Sequence, residues 1–243
     1  MMRNRVQNRL IELVSIFGLL ILLGSCRQFF TSSLAPWAKR DPALLIPEPT
    51  AANIQDLLAL SANNPDQSLA LLDKINDALA TASAADQAVL QAAALSAASN
   101  ASGVATSVLS NAGALLDAME GGQPDDIIAV VSDAIAGLSN LESTAVILAD
   151  ILPDPNDTDA FNAFVAQASP EDLAMAAIVL LAAEAQASGG VESFIDGFDP
   201  SSPDPGPQEL AVALAEAAAA AYAASGGTGQ LADILASLNL TTP

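Results

Sequence analysis

The chain has 243 residues, with 7 Lys or Arg against 28 Asp or Glu, no His and one Cys, giving a formal charge of −21 at pH 7. Apolar residues make up 52%, which separates it from disordered acidic chains, where hydrophobicity is low as well as charge high. The missing His removes His-based triads and His metal sites, the lone Cys removes an internal disulfide, and the stretch from Ile75 to Pro243, which holds no Lys or Arg, excludes nucleic-acid binding through a basic patch there.

The first element is N-terminal. Arg3, Arg5 and Arg9 precede an uninterrupted apolar run at 13–23 (LVSIFGLLILL), which ends in Leu23-Gly24-Ser25-Cys26. A basic start, a short apolar core and small residues before a cut site compose a secretory signal. The core is too short to span a bilayer comfortably as a mature helix. The Leu-Gly-Ser-Cys ending resembles the lipobox of bacterial lipoproteins, with an aliphatic residue three before the Cys and small residues between. Glu12, at the edge of the apolar core, is a mild departure from the pattern. The resemblance implies cleavage after Ser25, diacylation of the Cys26 sulfur and acylation of the new N-terminus. It also implies a location on the cell membrane or outer membrane, with the domain facing the periplasm or the cell exterior. Arg27, rather than Asp, after the lipidated Cys implies the outer membrane by analogy with enterobacterial sorting. The expected division is a signal peptide at 1–25, a lipid-anchored tether at 26–50 and a helical domain at 51–243.

Pro36, Pro42, Pro47 and Pro49 interrupt any long helix in the tether. Beyond Thr50 the pattern is helical, and no stretch alternates apolar and polar residues as a strand would. The chain holds 52 Ala, the strongest helix former, which also buries little area per residue. Helices are predicted at 51–62, 65–82, 84–100, 103–119, 124–138, 141–152, 158–168, 170–188, 207–225 and 228–239. Asn64-Pro65-Asp66-Gln67 and Ser169-Pro170-Glu171-Asp172 read as helix starts, with a cap, a Pro in the first turn and acids at the positive end of the dipole. Ser83 is a further cap. Gly121-Gly122, Gly189-Gly190 and Gly226-Gly227 mark ends. Residues 199–207 (DPSSPDPGP) form the longest break. Residues 173–187 and 210–224 are apolar nearly all round and are expected to be central. They are too short to span a membrane and carry Glu184 and Glu216. The fold class is all-α, either an irregular helical bundle or stacked αα-hairpins resembling tetratricopeptide repeats, although the signature of those repeats is absent.

Three groups of residues invite chemistry. Asp154-Pro155-Asn156-Asp157-Thr158-Asp159 is rich in oxygen ligands but departs from the EF-hand loop: Asp159 stands at the sixth position, where Gly is required, and Val165 at the twelfth, where Glu is required. The simpler reading is an interhelix loop in which Thr158 or Asp159 caps the next helix. Glu184 and Glu216 form a candidate carboxyl pair for hydrolysis, weighed against two solvent-facing acids. Phe161, Phe164, Phe194 and Phe198 read as core residues at helical spacing. No catalytic residue, metal site or cofactor is expected. The leading expectation is a non-enzymatic interaction or accessory module of the cell envelope, acting on an envelope protein partner. A carrier of a small apolar ligand is the first alternative and a carboxylate-based hydrolase the second.

Overall fold

The computed structural model describes Leu44 and residues 46–225 apart from Gly122. Leu23, Gly24, Ser25 and Cys26, most of the tether and the helix expected at 228–239 lie outside the described residues. Within them the regular elements are helices: α1 Ile54–Ser61, α2 Pro65–Leu79, α3 Ala84–Ser102, α4 Val104–Gly121, α5 Pro124–Ala136, α6 Leu141–Ile151, α7 Thr158–Val165, α8 Pro170–Ala187, α9 Val191–Gly197 and α10 Pro207–Ser225. All belong to one compact unit, Ile46–Pro243.

Local chemistry sets most of the boundaries. The Asn64 side chain accepts from the Gln67 amide at 3.2 Å, one residue before Pro65 opens α2. Ser83 accepts from the Asp86 amide at 3.3 Å and donates back to its carboxylate at 2.7 Å. Ser169 makes the same pair with Asp172, at 3.0 and 2.8 Å. Each pair satisfies an orphan N–H and places charge against the positive helix end. At the end of α8, the Gly190 amide donates to the Ala185 carbonyl at 2.8 Å and the Gly189 amide to Gln186 at 3.2 Å. That is a Schellman closure, and Gly189 carries the left-handed φ of +90° that it needs.

The helices gather around α3. It packs against α1, α2, α4, α6, α7 and α8, and α8 in turn packs on α4, α6, α9 and α10. Pairings as remote as α2 with α6 and α3 with α8 make this an irregular bundle, since a linear repeat array joins only neighbours. Two corrections to the expected core follow. The helix at 84–102 is central: Leu90, Ala93, Ala94, Leu95, Ala97 and Ala98 are all buried. The helix at 207–225 is peripheral. It buries Leu210, Ala211, Leu214, Ala218 and Ala219 and leaves Glu216, Ala220 and Ala223 exposed.

Hydrogen bonds from uncharged donors, rather than ion pairs, fix the crossings, because Lys74 is the only cation among the described residues. Asn76 Nδ2 donates to Asp150 at 2.7 Å, joining α2 to α6. Gln91 Nε2 donates to the Ile151 carbonyl at 3.0 Å, joining α3 to the end of α6. Ser96 Oγ donates to Asp172 at 3.0 Å, joining α3 to the start of α8. One group is left out of this arrangement. Thr144 Oγ1 is buried on the inner face of α6 without a hydrogen-bond partner among the described residues. An unmet buried hydroxyl costs more than it contributes, and Val has the same shape and nearly the same helix propensity. Thr144→Val is therefore expected to raise the unfolding free energy by about 1 kcal/mol, seen as a higher denaturant midpoint at constant slope. An unchanged or lower midpoint would show that the hydroxyl is satisfied in solution.

On α2, burial and a like charge act together on one carboxyl. Partial burial, and then the neighbouring Asp77 carboxylate, push the Asp73 carboxyl above its ordinary value. A raised folded pKa means that the native state binds the proton more tightly than the unfolded chain. Stability is then withheld at neutral pH and recovered as pH falls through the raised value towards about 3.9, the unfolded value. Asp73→Asn should thus stabilise the fold at pH 7 by about 0.2–0.5 kcal/mol, the usual scale for like charges four apart on a helix. The gain should vanish near pH 2, and 1 M salt should shrink it. A gain independent of pH would assign the effect to packing.

Candidate functional site

The outer face of α10 forms one wall of an apolar groove of about 740 Å³. Val212, Ala213, Ala217 and Ala220 line this wall, while Phe161 and Pro155 face it from α7 and the loop before it. The second wall is built by Pro155, Thr158, Phe161 and Asn162, where the acidic segment at 153–157 runs into α7. Asp154 Oδ1 accepts from the Asn156 amide at 2.8 Å and its side chain at 3.0 Å, closing the turn. Asn156 Nδ2 also donates to Glu209 Oε1 at 3.0 Å, tying the loop to α10. Asp157, rather than Thr158 or Asp159, caps α7 by accepting from the Ala160 amide at 3.2 Å. Phe164 is fully buried beneath α7. Phe161 meets it edge-on, with ring centroids 5.8 Å apart, and is thereby held half-exposed at the groove.

The α10 wall is pinned to α8 at both ends. Gln208 Nε2 donates to Glu184 Oε2 at 3.3 Å near the start of α10. Near its end the Tyr222 hydroxyl donates to Glu171, at the start of α8. The two helices therefore run antiparallel. Burial first, and then the Glu171 carboxylate, raise the Tyr222 hydroxyl to about 12. Its contribution to stability is fully present below about pH 10, where an unfolded Tyr ionises, and is lost as pH rises through about 12. At the far side of the loop before α10, Asp199 accepts from the Ser201 amide at 2.9 Å and hydroxyl at 2.6 Å, which hold its carboxyl below the ordinary range.

The structure does not join Glu184 to Glu216. Glu184 is half-buried at the α8–α10 seam and engaged by Gln208, whereas Glu216 is exposed at the groove. The carboxylate that shares the groove with Glu216 is Glu209, which sequence reasoning passed over. Its spacing of seven on one helix was the available signal, since it places both on one face about 10 Å apart along the axis. Glu209 is already bonded to Asn156. Among the described residues no base and no second donor from another element stands over the pair, and the groove there offers shape and apolar surface. Among the described residues no three His, Cys, Asp or Glu side chains converge as metal ligands. Phe194 and Phe198 stack at 4.9 Å on α9 and just beyond it, away from the groove lining. Among the described residues, no single helix is long and apolar enough to cross a membrane.

The described residues thus define an all-α irregular bundle with an open, largely apolar groove. Compared with known protein families, curated proteins and solved structures, the chain matches none.

Proposed function

We propose that this chain is a membrane-anchored envelope lipoprotein, held to the bilayer through acylated Cys26, whose helical bundle is a non-enzymatic interaction or accessory module. The observation that carries the reading is the ordered run of Arg3, Arg5 and Arg9, the apolar core at 13–23 and Leu23-Gly24-Ser25-Cys26. The bundle supports an interaction role in two ways. Its groove is lined mainly by Ala, Val, Phe and Pro, with Thr158, Asn162, Glu209 and Glu216 at its polar positions, and its acidic exterior favours solubility and basic partners.

Cys26→Ala tests the anchor. The variant is expected to take up no labelled fatty acid and to accumulate at precursor mass in the cell. Acylation equal to the parent protein would remove the lipoprotein reading. Crosslinking in native cells tests the module, with a stoichiometric envelope protein as the expected product. Stoichiometric lipid co-extracted with the bundle and no protein partner would replace the module with a carrier.

A further inference from the structure

We infer that the α10 groove docks a basic amphipathic helix of a partner protein, its apolar side laid on α10 and its Lys or Arg side chains meeting Glu209 and Glu216. The inference rests on the interaction-module reading above and gives that module a surface and a partner chemistry. Val212, Ala213, Ala217, Ala220 and Ala223 fall on one face of α10 at helical spacing and form the groove floor. Their small side chains let a second helix axis come close. Ala220 and Ala223 are exposed, and Phe161 stands half-exposed at the side. From Glu209 to Ala223 the floor runs about 21 Å, close to four helical turns. A shallow apolar trough of that length is the receiving half of helix-in-groove recognition.

Charge decides the occupant. Glu209 and Glu216 lie on the floor's own face, about 10 Å apart along the axis. Asn156 engages only Oε1 of Glu209, and the Glu216 carboxylate has no hydrogen-bond partner among the described residues. Asp154 and Asp157 are exposed on the loop leading into the other wall and add charge of the same sign. No cation lines the groove. A second copy would set the same acids against these, since the chain holds no Lys or Arg beyond Lys74, and like charges across an interface repel. An anionic lipid surface is disfavoured for the same reason. A small apolar ligand would leave both carboxylates unused and, in an open groove, one side in water. A helix with Lys or Arg seven positions apart, beside apolar residues at spacings of three and four, answers the carboxylates and covers the floor together.

The probe is a labelled synthetic helix of about 18 residues, with Leu along one face and two Arg seven positions apart beside it, titrated into the full chain. Saturable one-to-one binding is expected, with slower hydrogen exchange along α7 and α10. Ala217→Gln with Ala220→Gln, which fills the floor with polar side chains on a helix that keeps its propensity, should weaken binding at least 10-fold. Glu209→Gln with Glu216→Gln should weaken it about 3–10-fold, the scale of two exposed ion pairs. Asp117→Asn with Asp133→Asn removes the same charge from exposed positions on α4 and α5 outside the groove and should leave binding within about 2-fold. Circular dichroism confirms that each variant is folded. Equal weakening by the two charge-removing pairs would overturn the inference, because the probe would then read net charge alone. Indifference to the floor substitutions would overturn it as well. So would binding seen only in a chain ending at Ser225, or a dimer lost in the floor variant, since the chain's own residues or a second copy would then be the occupant. Native-cell crosslinking that joins a partner to another face of the bundle, with no probe binding at α10, would overturn the groove assignment and leave the interaction module standing. Absence of both probe binding and any crosslinked protein would remove the two together.

Discussion

Phe164→Ala is expected to lower the unfolding free energy by about 3–5 kcal/mol, the usual cost of removing a fully buried aromatic side chain. Phe164 is the anchor of α7, a helix of eight residues and the only one of its residues to be buried. Too short to persist alone, α7 is held where its aromatic ring enters the core beside α3. The truncation leaves a cavity and also removes the edge-on partner of Phe161, so the groove wall should loosen with the core. A domain of this size is stable by about 5–15 kcal/mol, and the variant should therefore sit close to its unfolding threshold. Phe164→Leu, which keeps most of the volume, should lose less than about 1.5 kcal/mol. Denaturant melts of the three proteins give the comparison. A loss below 1 kcal/mol for Phe164→Ala would mean that α7 does not hold the bundle through this residue.

Ala97→Leu is expected to destabilise by about 1–3 kcal/mol, through overpacking rather than cavity formation. Ala97 has no exposed surface and lies on the helix that six others touch. Its methyl group sets the distance of approach, and three added carbons have no space without displacing a neighbour. Ala85→Leu, in the exposed first turn of the same helix, should change stability by no more than about 0.5 kcal/mol. The pair separates burial from helix propensity, since the substitution is identical. A stabilised Ala97→Leu protein would reveal room around α3 and would weaken the case for this helix as the axis of the bundle.

The contrast between those two alanines shows where sequence reading stops. Ala is apolar enough for a core and small enough for a surface, so a helix built from it has little periodicity to read. Residues 84–102 and 207–225 look alike in composition. Which of them lies at the centre is decided by the number of partners the topology brings to each. The segment at 191–197 was missed for a related reason. Seven residues between Gly190 and Phe198 do not make a helix by propensity. Packing of α9 against α8 and α5, with Phe194 stacked on Phe198, holds it in place. The groove has no linear signature at all, because its walls come from residues about fifty positions apart that meet only when Asn156 binds Glu209.

What the sequence determined alone was local. Asn64, Ser83 and Ser169 began the helices that their side chains cap, because a cap bonds within three residues and needs no tertiary partner. Gly189 and Gly190 ended α8 because only glycine accepts those positive φ values at no steric cost. The all-α class followed from Ala abundance and the absence of strand alternation. The tertiary structure alone decided which helix became the axis, which acid capped α7 and which carboxylates share a groove. Those outcomes depend on contacts between distant segments, and they are settled only when the chain packs.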